Sequence, residues 1–598
     1  MAEFMNGMKR TDYCASFSES DVGKEITVMG WTDGRRDLGS LIFVDLRDRT
    51  GILQIVFDES VLDKAVFEKA TTIRHEFVLA AKGTLRIRSS INENIPTGRI
   101  ELLVSEFKIL SEAETTPFEI EAETNVNEML RLKYRYLDLR RAPLQQNLMM
   151  RAKIANAARE YLVKNGFLEI ETPFLGKSTP EGARDYLVPS RVHQGTFYAL
   201  PQSPQLYKQL LMISGFDRYF QITKCFRDED LRANRQPEFT QIDLEMSFVE
   251  DENDVITMME GLLAEVFMQA KGISLSLPLP RLTWQEAMDR FGSDKPDTRF
   301  GMELVNLSDL VAGCGFKVFT DAVANGGSVR AINAKGFSEK LSRKAIDALG
   351  EFVKTYRAKG LAWMNYSKEG IKSPIAKFFS EETLAAIYER TDFAEGDILF
   401  FVADTNKVVY DALGALRLHL AEKEGLIDES TYDLLWVTDF PLFEYSEEEQ
   451  RLVAMHHPFT APKTEDLPLL DTAPEKARAK AYDIVINGQE AGGGSIRIHS
   501  NAVQKKMFEK LGFDDQAIKE KFGFFVDAFR YGTPPHGGLA FGLDRLTMLL
   551  TGTQSIRDVI AFPKVQTAAC IMTEAPGTVE QKQLDELALA LQQIEEAE

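Results

Sequence analysis

Cysteine is scarce in this chain of 598 residues, and the few that occur are far apart. They form no CxxC pair and have no histidine at zinc-ligand spacing, which argues against a zinc site and against a disulfide scaffold. The chain also lacks an apolar run of the roughly 18 residues that a membrane helix needs, and no secretory signal is visible. We therefore expect a protein of the reducing cytoplasm that does not enter a membrane. The four cysteines are Cys14, Cys225, Cys314 and Cys570.

Several short motifs of nucleotide and hydrolase chemistry are missing as well. The sequence contains no P-loop, no HExxH, no GxSxG and no GxGxxG after a strand, so any ATP must be held by another architecture. The net charge of -21 argues against broad nonspecific binding of nucleic acid, because that mode needs an excess of Lys and Arg. Local basic patches are still compatible with this charge. Residues 1–7 precede a start-like Met8 and are expected to be an appended leader.

The N-terminal part of the chain has the pattern of a small antiparallel β-barrel, with short alternating runs broken by Gly, Asp and Asn. In residues 41–46, period two directs Ile42 and Val44 toward a core and Phe43 toward the opposite face. Gln54 likewise lies opposite the core-like side chains of the next run. An aromatic ring and an amide beside several arginines suit the stacking and reading of unpaired bases. An ordinary, half-solvated sheet face would explain the same pattern.

The chain is too long for one hydrophobic core and is predicted to contain several domains. A helix at about residues 144–165 and a strand stopped by Pro173 open the larger domain, as scaffold or as subunit contact. Alternation of strands and helices then lapses in a Gly-rich, less patterned block, which indicates an insertion. The predicted parts are a barrel at 8–115, a hinge at 116–145, a core in two pieces at 146–290 and 426–562, an inserted α+β block at 291–425, and a C-terminal extension at 563–598.

The most informative segment is a polar hairpin in the first piece of the core. If both arms are strands, Arg227 and Glu229 share a face of the first arm. Phe239, Gln241 and Asp243 share a face of the second arm. Burying such groups costs about several kcal/mol each unless they are paired, so a ligand-binding floor explains the pattern well. A solvent-exposed hairpin with surface ion pairs is the alternative.

Two later segments combine glycines with charged side chains. In residues 490–499, Arg497 and His499 alternate with isoleucines, so that Arg497 projects into a cleft floored by glycines. In residues 537–546, a glycine-broken strand runs into an amphipathic helix and brings Arg545 to the helix start. Main-chain N–H groups and the helix dipole favour phosphate there. Each segment on its own is equally compatible with a structural turn.

In this order, the segments resemble the three signature motifs of class II aminoacyl-tRNA synthetases. The helix and strand before Pro173 resemble motif 1, the Phe226-Arg227-Asp228-Glu229 hairpin resembles motif 2, and residues 538–545 resemble motif 3. The resemblance implies an OB-fold in the N-terminal barrel, an antiparallel-sheet catalytic core and an insertion similar to the GAD domain. Three further segments are similar to bacterial aspartyl-tRNA synthetases: 178–185, 202–209 and 239–243.

The resemblance implies a ligase that activates L-aspartate with ATP and esterifies it to tRNA(Asp). Because the substrate side chain is a carboxylate, its pocket should be cationic, and an asparagine would leave buried cations unpaired at a cost of about 3–5 kcal/mol. His457 could take the part of His456, since neighbours on a strand face opposite sides. The aspartate-binding residues implied are Glu181, Ser203, Gln205, Lys208, Arg227, Asp243, His456 and Arg497.

The same resemblance assigns a nucleotide site, with Arg227 at the α-phosphate, Phe239 stacked on adenine and Arg545 at the terminal phosphates. Mg²⁺ prefers hard oxygen ligands, and its expected ligands are Asp483 and Glu490. The expected catalytic residues are Arg227, Glu229 and Arg545, and the full ATP-binding set is Arg227, Asp228, Glu229, Gln236, Phe239, Glu490, Gly542, Leu543, Asp544 and Arg545.

For tRNA, the resemblance places the anticodon at Arg36, Phe43 and Gln54. Leu38 and Asn92 resemble members that charge only tRNA(Asp), and a relaxed enzyme that also charges tRNA(Asn) is the alternative. Motif 1 implies a homodimer.

Two other interpretations remain, one of a different class of protein and one a closely related enzyme. A tRNA-binding regulator derived from a synthetase would usually have lost the arginine of motif 2 or motif 3, and Arg227 and Arg545 are both present. An asparaginyl- or lysyl-tRNA synthetase would share the fold. A pocket with Lys208 and Arg497 argues against both, because it repels lysine and is of no use to an amide.

Overall fold

The computed structural model describes residues 2–179, 183–231 and 235–592. The chain divides into two compact units, Met1–Gln146 and Asn147–Glu598. Across the described ranges, we find no helix with the length and apolar character to span a membrane.

The N-terminal unit is a closed five-stranded barrel. Its elements are β1 Glu25–Asp37, β2 Leu41–Asp48, β3 Gly51–Asp58, α1 Lys64–Ala70, β4 Val78–Ile87 and β5 Ile100–Ser111. The strand order is β1-β2-β3-β5-β4, and β1 closes the barrel by pairing with β4. Neighbouring strands are antiparallel except β3 and β5, which run parallel. The predicted OB-fold barrel is confirmed.

The barrel core follows the predicted alternation. Ile42 and Val44 of β2 are fully buried together with Ile55 of β3, whereas Phe43 is only half-buried on the opposite face. Burying each aliphatic side chain of this kind stabilises the fold by about 1.5–3 kcal/mol. The predicted leader is hydrogen-bonded to the barrel, because the Glu3 N–H donates to the Ile109 main-chain oxygen and the Glu3 carboxylate accepts the Ile109 N–H.

The stretch after the barrel, predicted as a polar hinge, has a small core of its own. Its Asp138 carboxylate accepts hydrogen bonds from Arg135 and Arg141 at 2.8 and 2.9 Å. Phe118 and Leu137 belong to an apolar cluster beside it. The stretch is therefore ordered, and its action as a hinge stays a prediction. Its helices are α2 Glu128–Lys133 and α3 Arg135–Asp138.

The remaining elements are these. The helices are α4 Ala142–Lys164, α5 Gln205–Ile213, α6 Glu252–Lys271, α7 Trp284–Phe291, α8 Ser308–Val311, α9 Lys317–Ala324, α10 Arg343–Lys354, α11 Glu381–Thr391, α12 Asn406–Lys423, α13 Leu469–Thr472, α14 Asn501–Lys510, α15 Asp515–Ala528, α16 Leu543–Thr551 and α17 Gln581–Glu586. The strands are β6 Leu168–Glu169, β7 Leu187–Pro189, β8 Phe197–Ala199, β9 Arg218–Phe226, β10 Glu238–Ser247, β11 Arg281–Thr283, β12 Val305–Asn306, β13 Ser328–Ala334, β14 Ala362–Ser367, β15 Gly370–Lys372, β16 Ile398–Asp404, β17 Leu434–Thr438, β18 Phe443–Ser446, β19 Arg451–Ala454, β20 Ala481–Ile486, β21 Gln489–Ile496 and β22 His536–Gly542.

The larger unit is built on an eight-stranded sheet with the order β11-β17-β20-β21-β22-β10-β9-β6. Only the two edge pairs, β11 with β17 and β6 with β9, are parallel, which confirms the predicted antiparallel core. Helices α4, α6 and α16 cover one face. Ile154, Leu262 and Leu546 of these helices share a core with Ile242 and Leu539 of the sheet. On the other face, β17 and β20 pack in a second apolar cluster, and the polar part of this face carries the candidate site.

The predicted motif 1 helix is α4, and Gly166 follows it with a φ of 81°. A left-handed residue of this kind commonly ends a helix, and glycine adopts it without a steric penalty. The strand after it is shorter than predicted, because only Leu168–Glu169 pair with β9.

The block predicted as less patterned is a well-packed α+β structure. Its sheet has the order β12-β13-β16-β14-β15. Phe400 belongs to the core on one face of this sheet and Phe401 to the core on the other. Strands buried on both faces read as continuous apolar runs, which hides the period-two signal. Its similarity to the GAD domain stays a prediction.

Candidate active site

The candidate site lies where β10 runs between β9 and β22. Alternate residues of a strand face opposite sides of the sheet. Ile242 and Leu244 join the apolar core, whereas Gln241, Asp243 and Glu245 face the polar side. The polar face predicted for the second arm of the hairpin is therefore present, whereas Arg227 and Glu229 of the first arm lie beyond the end of β9 at Phe226.

Two glycines allow carboxylates to approach the sheet closely. A Cβ added to Gly538 of β22 would lie 2.1 Å from Glu245 Oε2, and one added to Gly493 of β21 would lie 2.5 Å from Asp483 Oδ1. Any side chain at these positions would displace the carboxylate. Close approach is thus the physical reason for the glycines in these strands.

A cavity of about 170 Å³, which we call the inner cavity, opens on this polar face. It brings together seven of the eight residues expected to bind aspartate. The eighth, Glu181, lies outside the described residues. The seven that line the cavity are Ser203, Gln205, Lys208, Arg227, Asp243, His456 and Arg497.

Lys208 and Arg497 are buried cations, each 2% exposed, and both are already paired. Lys208 Nζ donates to Asp243 Oδ1 at 2.7 Å and lies 3.4 Å from Glu245 Oε2. Arg497 Nε and Nη2 donate to the two Glu245 oxygens at 2.9 and 3.1 Å, a bidentate pair. The resemblance implied a cationic pocket, and in the structure two carboxylates offset its two cations.

The two carboxylates differ in their affinity for a proton. Burial alone would raise the pKa of Glu245, but the nearby charges of Arg497 and Lys208 outweigh it, so this pKa is lowered. For Asp243, burial dominates and raises the pKa in spite of Lys208. Glu245 is therefore the ionised partner that holds Arg497 in place.

The two adjacent histidines face different charges. His457 Nε2 lies 2.7 Å from Arg497 Nη1, and burial together with that cation lowers the pKa of His457 well below its ordinary value. Burial also acts to lower the pKa of His456, but the Asp483 carboxylate, 3.8 Å from its Nε2, outweighs it and raises this pKa. Both rings line the inner cavity, and His457 is the one that contacts Arg497.

Four polar atoms of the inner cavity are buried and have no hydrogen-bond partner within the described part of the chain. An orphaned polar atom costs about 1–3 kcal/mol, so a cavity that gathers several of them is suited to a polar ligand. The set contains two N–H donors, a ring nitrogen and a carboxylate oxygen. They are Gln205 Nε2, Arg227 Nε, His456 Nδ1 and Asp243 Oδ2.

A second cavity of about 620 Å³, the outer cavity, adjoins the first and shares Arg227 and Gln241 with it. The Arg227 guanidinium lies 5.0 Å from the centroid of the Phe239 ring. Glu229 lines the same wall and pairs with Arg235 at 3.1 Å.

Arg545 lies in the first turn of α16, as the sequence predicted. Its Nη1 donates to the main-chain oxygen of Glu490 at 2.6 Å, so the guanidinium bridges from the motif 3 helix to β21. Both residues line the outer cavity. The arginine therefore adds a fixed positive charge to the wall that also carries acidic groups.

Asp483 of β20 and Glu490 of β21 bring two carboxylates to the outer cavity. Burial raises the pKa of Glu490, and the charge of Asp483 raises it further, so this wall is short of positive charge. Mg²⁺ in nucleotide sites uses one or two carboxylates and completes its shell with phosphate and water. The pair fits such an ion, although no cluster of three or more His, Cys, Asp or Glu ligands occurs among the described residues.

Three side chains of the expected ATP-binding set are engaged elsewhere. Both oxygens of Asp544 are used by the protein, one by Arg151 and the other by the Thr240 N–H at 2.7 Å. Leu543 packs in the apolar core, because the first turn of α16 directs it there. Asp228 pairs through its main chain with Arg184 and is not part of the cavity lining. Asp544 nevertheless lines the outer cavity, and contact of these three residues with the nucleotide stays a prediction.

Gln236 and Gly542 complete the expected ATP-binding set, and both line the outer cavity. Gln236 accepts from the Lys564 N–H at 2.7 Å and donates to the Lys564 main-chain oxygen at 2.9 Å. Its amide thus fixes the loop that follows the core. Gly542 is the N-cap residue of α16.

In the N-terminal unit, Gln54 was expected on an outer face of the barrel. It is instead buried, with 2% of its surface exposed. Its Oε1 accepts from Arg36 and Arg88 at 2.8 and 2.9 Å, and its Nε2 donates to Glu101 at 2.6 Å. The Arg36 guanidinium lies 5.7 Å from the centroid of the Phe43 ring. The three expected anticodon residues converge, with Gln54 holding the arginines.

The two expected discrimination residues lie in loops of the barrel. Leu38 lies between β1 and β2 with 70% of its surface exposed. Asn92 lies between β4 and β5, where its side chain accepts the Asn94 N–H at 3.0 Å.

Sequence reasoning missed Glu245 and Asp294. The period-two argument that selected Gln241 and Asp243 continues to Glu245, so that signal was available. Asp294 lines the outer cavity from the start of the inserted block, and no local pattern marks it.

Two family descriptions match the chain. Residues 127–566 match the tRNA synthetases class II (D, K and N), and residues 26–110 match the OB-fold nucleic acid binding domain. The first match alone spans well over half of the chain. The chain belongs to the class II tRNA synthetases. A synthetase of this class uses ATP as a substrate to join an amino acid to tRNA.

Relatives of this class II synthetase resemble it over its whole length. It is 61% identical over 593 residues to an aspartate–tRNA(Asp/Asn) ligase of Lachnoclostridium phytofermentans, a match that covers 99% of each chain. It is 60% identical over 594 residues to an aspartate–tRNA ligase of Ruminiclostridium cellulolyticum, covering 99% of this chain and 100% of the relative.

Solved structures of the class share the fold of this synthetase at low identity. An asparaginyl-tRNA synthetase from Pyrococcus horikoshii, complexed with asparaginyl-adenylate, is 18% identical with a TM-score of 0.57 and covers 93% of this chain and 98% of its own. An aspartyl-tRNA synthetase from Entamoeba histolytica is 20% identical with a TM-score of 0.57, covering 93% of this chain and 92% of its own.

Proposed function

We propose that this synthetase is an aspartate–tRNA ligase of the cytoplasm, which activates L-aspartate with ATP and transfers it to the 3′ end of tRNA(Asp). The observation that carries the proposal is 60–61% identity, over 99% of the chain, to relatives with this activity in their names. The two adjoining cavities support it, because their volumes of about 170 and 620 Å³ suit a small amino acid beside a nucleotide.

In this proposal the aspartate side chain binds against Lys208 and Arg497. Both cations are donors only, so the oxygens of a carboxylate suit them, whereas the NH₂ group of asparagine would face donors. Asp243 and Glu245 hold the two cations in place for this role. The site therefore selects aspartate through a prearranged set of donors, although its net charge is small.

The α-amino and α-carboxylate groups then meet the remaining polar atoms of the inner cavity. The buried donors of Gln205 and Arg227 suit the α-carboxylate, and the free Asp243 Oδ2 adds an acceptor. Ser203 and His456 complete the wall. Glu181 is proposed to face the α-ammonium group, as the family resemblance implies.

ATP occupies the outer cavity in the proposal, with adenine on Phe239 and the phosphates between Arg227 and Arg545. Asp483 and Glu490 would hold Mg²⁺, which when bound offsets phosphate charge and polarises the phosphoryl oxygens. Glu229 sits at the same wall and orients Arg235. Gln236 and Gly542 shape the rest of the cavity.

The aspartate α-carboxylate is itself the nucleophile in the first step, so no protein base is required. It attacks the α-phosphorus, the bond to the β-phosphate oxygen breaks, and pyrophosphate leaves with the released electron pair. Arg227 stabilises the charge on the α-phosphate, and the two cavities supply the positioning. The 3′-hydroxyl of the terminal adenosine then attacks the activated carbonyl and AMP leaves.

We propose that the enzyme charges tRNA(Asp) and rejects tRNA(Asn), on the basis of Leu38 and Asn92. The alternative is a relaxed enzyme, and the name of the Lachnoclostridium relative, which includes both tRNAs, favours it. Arg36 and Phe43 are proposed to contact anticodon bases, with Gln54 positioning the arginine. Charging purified tRNA(Asp) and tRNA(Asn) side by side decides between the two, because only a relaxed enzyme aminoacylates both.

We propose that the protein is a homodimer joined through α4 and β6. This region leaves large apolar side chains at its surface, which single soluble chains rarely group together. Light scattering should give about twice the chain mass of 67.4 kDa, and a mass equal to one chain would contradict the dimer. The exposed residues are Met149, Val163, Leu168, Phe174 and Leu175.

Aspartate-dependent exchange of pyrophosphate into ATP tests the main proposal. We expect exchange with L-aspartate and none above background with L-asparagine or L-lysine. Exchange with another amino acid alone would replace the assignment. No exchange with any amino acid, with tRNA binding retained, would support a regulator that has lost catalysis.

A further inference from the structure

Residues 292–302, which we call the connecting segment, join the core to the inserted block and reach the outer cavity. Asp294 of this segment is part of the cavity wall. Its negative charge acts on both Glu490 and His456. The connecting segment therefore brings a carboxylate to the outer cavity.

Arg417 of α12 holds the connecting segment from the side of the inserted block. It is 1% exposed, and in the described structure no carboxylate lies within ion-pair distance of it. Its guanidinium lies 4.1 Å from the centroid of the Phe300 ring. Burial lowers the pKa of Arg417 to about 10, so it stays charged at neutral pH. It donates to four main-chain oxygens of the segment, those of Asp297, Phe300, Gly301 and Met302, at 3.0–3.3 Å.

A buried cation with carbonyl partners fixes the course of a segment, because each carbonyl must stay aligned with the planar guanidinium. Lysine cannot replace this arrangement, since its single ammonium group reaches fewer carbonyls. The hydrogen bonds of Arg417 reach only main-chain oxygens of the segment. The segment can thus keep its shape while its side chains serve the site.

The other side of the connecting segment packs on the turn between β20 and β21. A Cβ added to Gly488 in this turn would lie 2.8 Å from Asp297 Cβ, so the two backbones touch. Thr298 donates to Asp433, whose N–H bonds to the Asn487 side chain of the same turn at 2.7 Å. The turn links the two strands that carry the acidic wall of the outer cavity.

We propose that the inserted block braces the nucleotide site. Arg417 is the positioning residue that presses the connecting segment against the β20–β21 turn, and the segment adds Asp294 as a third acidic group facing the cation side of bound ATP. Outer carboxylates of this kind orient the water and ligands of a metal ion. The inference deepens the proposed function and rests on it for the identity of the ligand.

Hydrogen–deuterium exchange of the ligand-free full chain tests the brace without any reaction. Arg417→Met should speed exchange in residues 486–490 about tenfold or more, and Arg417→Lys should fall between it and the wild type. Ile387→Ala is the matched control, because Ile387 is a fully buried residue of the inserted block in the core that Arg417 does not touch. Equal exchange at the turn in Arg417→Met and wild type, or the same change in Ile387→Ala, would overturn the brace.

One kinetic and one binding measurement test whether the brace affects the nucleotide site. In pyrophosphate exchange, Arg417→Met should raise the KM for ATP about tenfold and change the KM for aspartate less than about twofold, with Arg417→Lys in between. Asp294→Asn should weaken Mn²⁺ binding in the presence of ATP, followed by electron paramagnetic resonance, by about tenfold. An equal rise of both KM values, or unchanged Mn²⁺ binding, would contradict the proposal. If the wild type shows no aspartate-dependent exchange, the proposed function fails, while the hydrogen-exchange result still decides the brace.

Discussion

The inner and outer cavities lie on the same face of the sheet but differ in how their buried charges are balanced. In the inner cavity each buried cation has a carboxylate partner, as in the bidentate pair of Arg497 and Glu245. In the outer cavity Asp483 and Glu490 face each other across Gly493, and burial together with like charge raises the pKa of Glu490. The two buried cations of the inner cavity are neutralised within the protein, whereas the acidic wall of the outer cavity is short of positive charge until a cation binds.

The paired charges of the inner cavity therefore stabilise the fold. The like charges of the outer cavity lower its stability in the absence of a bound cation. A paired buried charge destabilises strongly when one partner is removed. A repelling carboxylate does the reverse, because its removal relieves a cost in the ligand-free protein. Substitutions in the two cavities should therefore have opposite effects on stability.

The largest effect is expected for Glu245→Gln in the inner cavity. The change leaves Arg497 without its ionised partner, so the free energy of unfolding of the core should fall by about 3–5 kcal/mol. Chemical denaturation at pH 7.5 measures it. A loss below about 1 kcal/mol would mean that the buried pair does not stabilise the core.

Glu490→Gln should give the opposite pattern in the outer cavity. The free energy of unfolding should stay constant or rise, because a buried carboxylate that is repelled by Asp483 is removed. The Mg²⁺ concentration for half-maximal pyrophosphate exchange should rise about 10–100-fold, because a metal ligand is lost. Denaturation and a Mg²⁺ titration give the two quantities. A variant that is clearly less stable than the wild type would remove the contrast between the cavities.

A smaller effect is expected from the pH dependence of the histidine beside Arg497. His457 stays neutral when folded, because its pKa is well below the ordinary value of 6.5. The unfolded chain takes up a proton below that value, so stability is lost as the pH falls. Between pH 7.5 and 5.5 this histidine should account for about 1.4 kcal/mol. The loss should be absent in His457→Gln, measured by denaturation at both pH values, and an identical loss in both proteins would contradict the assignment.

The smallest effect on stability is expected at an exposed ion pair with the same N–O distance as a buried pair of the inner cavity. Lys354 and Glu351 lie 2.7 Å apart, as do Lys208 and Asp243. The Lys354–Glu351 pair is exposed to solvent, whereas the Lys208–Asp243 pair is buried. Lys354→Ala should change the free energy of unfolding by less than about 0.5 kcal/mol. A larger change would show that distance, and not burial, sets the strength of these pairs.

The sequence predicted the parts of the fold in which a periodic pattern coincides with one buried face. The alternation at Ile42 and Val44 and the glycine after α4 are local signals, and both were interpreted correctly. The inserted block was called less patterned because Phe400 and Phe401 are both buried, on opposite faces of one sheet. A strand buried on both sides has no polar alternation to detect.

Within the candidate site, the sequence predicted which side chains converge but not how their charges are balanced. Gln54 was expected on the outer face because strand alternation places it opposite the core, yet it is buried and bonds to three charged side chains. Asp294 comes from a segment whose position depends on Arg417, more than a hundred residues later in the chain. Contacts between residues so far apart in the sequence produce no local sequence pattern.

Calorimetric binding of L-aspartate and L-asparagine to the wild type and to Arg497→Met measures whether the paired cations of the inner cavity select the substrate. We expect the wild type to bind aspartate about 100-fold more tightly than asparagine, and the variant to lose this preference. A variant that still prefers aspartate by the same factor would show that the paired cations of the inner cavity do not select the substrate.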